Sequence, residues 1–129
     1  MAWKKYNPNP EKNRVGDCTV RALCCVLMKE WDEVYLGLCL EGFMRKDMPS
    51  ANNMWGTYLW DRGFRRHFVT DECPACYTVK NFCEAFPVGR YLLALDSHVI
   101  AVIDGDYYDT WDSGDECPIY YWSRDFKED

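Results

Sequence analysis

Helical patterns in the first half of the chain and strand patterns in the second predict an α+β domain. Between residues 17 and 63, apolar side chains recur at i,i+4 spacing, the period of a helix with one buried face. After Gly63 the pattern changes to short runs of β-branched and aromatic residues, the composition of strands. The two kinds of segment are segregated rather than alternating, which argues against βαβ units. The 129 residues are 48% hydrophobic and 16% aromatic, enough for the core of one domain over 1–129 and too apolar for global disorder.

Residues 1–15 are polar and rich in Pro and Asn, and read as an extended lead-in. Gly16-Asp17 opens the first helix, with Asp17 at the N-cap and Ala22/Val26 and Leu23/Leu27 as its apolar pairs. A second helix is expected from about Asp32 to Met44, its apolar face built from Val34/Leu38 and Tyr35/Cys39. Ser50 is the expected cap of a third helix carrying Met54/Tyr58 and Trp55/Leu59, which Gly63 ends. Phe64–Thr70 reads as a strand, and Thr78 as the cap of a short helix ended by Pro87 and Gly89. Strands follow at Tyr91–Leu95, His98–Ile103, Tyr107–Trp111 and Ile119–Trp122, with Asp104-Gly105 as a hairpin turn. The helices are therefore expected to pack on a C-terminal antiparallel sheet.

Lys plus Arg number 15 and Asp plus Glu 21, a net charge of −6. That balance argues against nucleic acid and against anionic lipid as partners. Uncharged apolar runs such as Tyr91–Leu95 are too short to span a membrane, and the N-terminal stretch lacks the apolar core of a secretory signal. The cytoplasm is the expected location. Eight cysteines in 129 residues fall below the density of disulfide scaffolds, so Cys24, Cys25 and Cys39 read as reduced, buried residues on helix faces.

Cys18 stands apart. A thiol in the first turn of a helix lies beside unpaired N–H groups and the positive end of the helix dipole, and both favour the thiolate. His98, one of two histidines, begins an apolar strand and projects past the core, where an imidazole can accept or hold the Cys18 proton. An orienting carboxylate completes such a set. A two-residue Asp104-Gly105 turn puts Asp109 on the histidine's face, and a three-residue loop puts Asp112 there. The residues permit both.

Gly16-Asp17-Cys18 leading a helix, His98 eighty residues on and Asp112 fourteen further resemble the papain-like cysteine peptidase superfamily. Trp111-Asp112-Ser113 resembles the Asn-Ser step that carries papain's third residue, and the resemblance covers nearly the whole chain. It is nearest to the small papain-fold proteins of bacteria and their phages. The resemblance implies a papain-like fold and a cysteine (thiol) protease-type hydrolase. It implies Cys18 as nucleophile, His98 as base and Asp112 as orienter, with Asp109 the alternative third member. The family's oxyanion-binding Gln, six residues before the nucleophile, is Lys12 here; Asn13 is the expected substitute, or Asn7 or Asn9 where the lead-in folds back, with the Cys18 N–H as the other donor.

The expected activity is hydrolysis of peptide or isopeptide bonds in a protein or peptide substrate, with no cofactor. A deamidase or acyl transferase would use the same three residues. Lys12 favours an alternative, a papain-fold module that has lost the chemistry and grips a partner protein. Cys73-Pro-Ala-Cys76 has the spacing of half a zinc site, with Cys83 and His67 nearby, but no second pair. Ordinary turn cysteines are therefore expected there. Arg62, Arg65, Arg66 and His67, interleaved with Phe64 and Phe68, form the basic cluster and read as a solvated strand face.

Overall fold

The structure is a computed structural model that describes residues 2–13, 15–69 and 77–124. The elements run β1 (Trp3–Lys5), α1 (Cys18–Leu27), α2 (Trp31–Arg45), α3 (Asn52–Trp60), β2 (Phe64–Phe68), α4 (Val79–Ala85), β3 (Arg90–Leu95), β4 (His98–Ile103), β5 (Asp106–Asp109) and β6 (Tyr120–Arg124). The six strands form one sheet in the order β1-β5-β4-β3-β6-β2.

The α+β class holds, and the sheet is mixed rather than wholly antiparallel. The lead-in contributes β1, which pairs in parallel with β5 through Trp3↔Tyr107, Lys4↔Tyr108 and Lys5↔Asp109. All three of its residues are exposed, so it carries no apolar alternation to betray a strand. Its backbone bonds hold it, joined by a bond from the Tyr6 N–H to the Asp109 carbonyl (2.9 Å).

Alternation along the strands divides the core. Leu92, Ala94, Val99, Ala101 and Trp122 face α1, α2 and α3, where Leu23, Val26, Val34 and Leu59 are buried against them. Leu93, Ile100, Val102 and Tyr107 face α4 through Val79, Phe82 and Cys83. Thr78 caps α4 as expected, in a capping box with Asn81. Two other caps differ from expectation. Ala51, not Ser50, occupies the N-cap of α3, and Asp17 sits at the N-cap of α1 without a side-chain capping bond because its carboxylate is committed elsewhere. Cys24 is buried, whereas Cys25 and Cys39 are half-buried; all three are free.

The β4–β5 hairpin fixes which side chains meet. Ile103 pairs with Asp106, Val102 with Tyr107 and Ala101 with Tyr108. The turn is thus the two-residue form, with Asp104 (φ 49°) and Gly105 (φ 84°) both left-handed as such a turn requires. No helix among the described residues is long and apolar enough to cross a membrane.

Candidate active site

The first intrahelical bond of α1 runs from the Arg21 N–H to the Asp17 carbonyl (2.9 Å). The amides of Cys18, Thr19 and Val20 precede the ladder, and Cys18 is the first residue of the helix. The packing of α1 on β4 sets the Cys18 thiol beside the His98 side chain and the Val99 backbone N–H, two groups that favour its thiolate. A tight Asp96-Ser97 turn, with Ser97 left-handed (φ 61°) and Leu95 paired to His98, sets the imidazole at the very start of β4.

His98 Nε2 lies 2.6 Å from Asp109 Oδ2, so the other ring nitrogen is the one left to the thiol. The imidazole also stacks on Trp111, centroids 5.2 Å apart. Asp109 is only 2% exposed and is held on several sides. Its Oδ2 accepts from Ser113 Oγ (2.8 Å), and its Oδ1 accepts from the Thr110 N–H (2.7 Å) and from Arg21 Nη2 (3.4 Å). Arg21 donates its other nitrogen to Asp17, which also accepts from Trp31 Nε1 (2.9 Å). Asp17, Arg21, Asp109 and Ser113 are all buried. Two carboxylates around one guanidinium, with every charge hydrogen-bonded, is the condition under which burial of charge is tolerated.

This arrangement sets the protonation states. Burial pushes the Cys18 thiol up, but the His98 hydrogen bond, the Val99 N–H and the positive charges of His98 and Arg21 outweigh it, leaving the thiol below its ordinary value. Burial alone pushes the His98 imidazole down, while its bonds to Asp109 and Cys18, with their charge, push it up to about 9. Burial raises the Asp109 carboxyl, and His98, Ser113 and Thr110 bring it below the usual carboxylate range. All three shifts run toward the charged forms, thiolate, imidazolium and carboxylate in line.

Of the sequence-predicted residues, Cys18, His98 and Asp109 come together. Asp112 does not. It is exposed and accepts from Tyr107 Oη and the Gly114 N–H (3.0 Å). The two-residue turn is the physical reason, because it brings Asp109 onto the histidine's face. Asn13 is likewise misplaced as an oxyanion donor. It is exposed and lines a neighbouring groove with Asn9 and Trp31; that groove shares Thr19 and Ser50 with the cleft of about 480 Å3 lined by Cys18, which Asn13 itself does not line. That cleft is walled by Thr19, Asn52, Trp55, the β3–β4 turn and Tyr120. Asn52 Oδ1 accepts from Trp55 Nε1 (3.1 Å), which leaves the Asn52 amide NH2 as a donor.

Sequence reasoning missed Arg21, Ser113 and Asn52. Arg21 left a trace, since a cation four residues after Asp17 on an otherwise apolar helix marks an i,i+4 pair. Asn52 left none. The half zinc motif Cys73/Cys76 lies outside the described residues, and no cluster of metal-ligating side chains occurs among the described ones. Compared with known families, curated proteins and solved structures, the chain matches none.

Proposed function

We propose that the protein is a papain-like cysteine hydrolase of peptide or isopeptide bonds, working in a reducing compartment such as the cytoplasm. The observation that supports this reading is the line of thiol, imidazole and buried carboxylate, the first two of which line an open cleft. The Cys18 thiolate attacks the substrate carbonyl carbon, and His98, already carrying a proton, gives it to the leaving amine as the C–N bond breaks. Asp109 takes the role first assigned to Asp112, holding the Nε2–H and stabilising the imidazolium. The Cys18 N–H and the Asn52 amide are the donors for the oxyanion. Water then attacks the thioester, with His98 now taking a proton, and frees the acid. Another acceptor in place of water makes the same residues an acyl transferase, and a carboxamide substrate makes them a deamidase.

Asn13 facing a different groove favours a second reading, in which the cleft binds a partner protein without reaction. Iodoacetamide at neutral pH discriminates. Selective alkylation of Cys18 over the other seven thiols supports the hydrolase, and Cys18 labelling no faster than Cys117, which is exposed, sinks it.

A further inference from the structure

A second groove, of about 380 Å3, adjoins the Cys18 cleft, with Asn52 and Tyr120 forming walls of both. The strand register places Arg66 opposite Trp122 and Phe68 opposite Tyr120. These four side chains therefore share the helix-side face of the sheet, and Arg66 lines the groove. Its guanidinium carbon stands 5.3 Å from the ring centroids of both Phe68 and Tyr120. Gly56 borders the same groove, and a Cβ there would come within 3.2 Å of the Trp122 ring.

The neighbouring arginines are committed. Arg62 lies over Tyr58 and donates to the Tyr58 carbonyl, and Arg65 lies over Trp60 and donates to the carbonyls of Trp60 and Phe64. Arg66 has neither a hydrogen bond nor an ion pair among the described residues. In a chain of net charge −6, it is a cation left open toward a groove that runs on from the Cys18 cleft.

We propose that this groove is a substrate subsite for an acidic side chain, an aspartate or glutamate near the bond presented to Cys18. The carboxylate takes the Arg66 fork in two parallel N–H···O bonds, geometry a lysine could not offer. The carbon stem of that residue lies along Trp60 and Tyr120. This assignment rests on the hydrolase reading, whose substrate class it narrows to acidic peptides, but its test does not depend on reactivity.

The test is equilibrium binding to the full chain, followed by tryptophan fluorescence. The probes are blocked hexapeptide amides with one aspartate walked through each position, against the same set with asparagine. The expected result is one position at which aspartate binds about tenfold tighter, the scale of one charge-assisted pair. Arg66→Gln should abolish that preference. Arg65→Gln, which removes the same charge from the same strand, should keep it. No preference at any position, or one that survives Arg66→Gln, overturns the subsite. An intact preference with Cys18 inert to iodoacetamide keeps the subsite and removes the hydrolase.

Discussion

Three cysteines on α1 sit in two unlike settings. Cys18, at the helix start, is held below the ordinary thiol value. Cys24 and Cys25, about two turns on, are both pushed up to about 12 by burial; around Cys24 the negative charge of Asp17 adds to it, and around Cys25 a nearby Arg90 offsets little of it. Burial acts on all three in the same sense. What separates them is the company at the helix mouth, where an imidazole, an amide and an arginine face the sulfur. A low thiol value is therefore set by the charges aimed at the sulfur, and the same helix carries two thiols that burial holds high.

Removing Arg21 should break that contrast most severely. Arg21→Met leaves Asp17 and Asp109 buried without their shared cation, and a loss of about 3–5 kcal/mol in urea unfolding is expected. Arg21→Lys should recover part of it. His98→Gln should make Cys18 resemble Cys25. Alkylation of Cys18 by iodoacetamide at pH 7 should slow by about 100-fold, because the thiol loses the imidazole and the positive charge that favour its thiolate.

Asp109→Asn should slow the same reaction about tenfold, whereas Asp112→Asn should leave it within about twofold, since only the first carboxylate holds the imidazolium. The reverse ranking would restore Asp112 to the site.

The pH dependence of stability sharpens the comparison further. His98 binds its proton more tightly in the fold, at about 9 against an ordinary 6.5. Its contribution is fully present below 6.5 and is lost as pH rises through about 9. Cys18, held below its ordinary value, contributes in the opposite sense, so the histidine is read in a Cys18→Ala background, where the melting temperature should fall more between pH 6.5 and 9.5 with His98 than with His98→Gln. The smallest effect is expected for Cys25→Ala, about 1 kcal/mol of stability with Cys18 labelling unchanged.

The pairing of Cys18 with His98 was legible because each begins an element with a clear pattern. Cys18 follows a Gly-Asp step into an amphipathic helix, and His98 heads an unbroken β-branched run. The third member was not legible because Asp104-Gly105 suits both turn lengths, and choosing by likeness to a distant family selected Asp112. Long-range partners were harder still. β1 has three exposed residues and is a strand through backbone pairing, helped by a bond from Trp3 Nε1 to the Asp109 carbonyl (3.2 Å). Asn13 lies near Cys18 in sequence and Asn52 does not, yet it is Asn52 that lines the cleft. Folding of α2 and α3 over the sheet decides that, and no local pattern records it.

The two-residue turn has a consequence for how such chains diverge. Loop lengths usually drift freely, because a surface turn can gain a residue at little cost. The Asp104–Gly105 turn lies at the opposite end of β4 from His98, yet it determines which face of β5 is presented to the imidazole. A relative whose turn draws in the Ile103 position, so that the Val102 position pairs with the Asp106 position, would bring a carboxylate at the Asp112 position toward the histidine and turn the Asp109 position away. Turn length and carboxylate position should then covary among relatives of this chain. A three-residue turn paired with an aspartate only at the Asp109 position would mark a member that has lost the imidazole's partner.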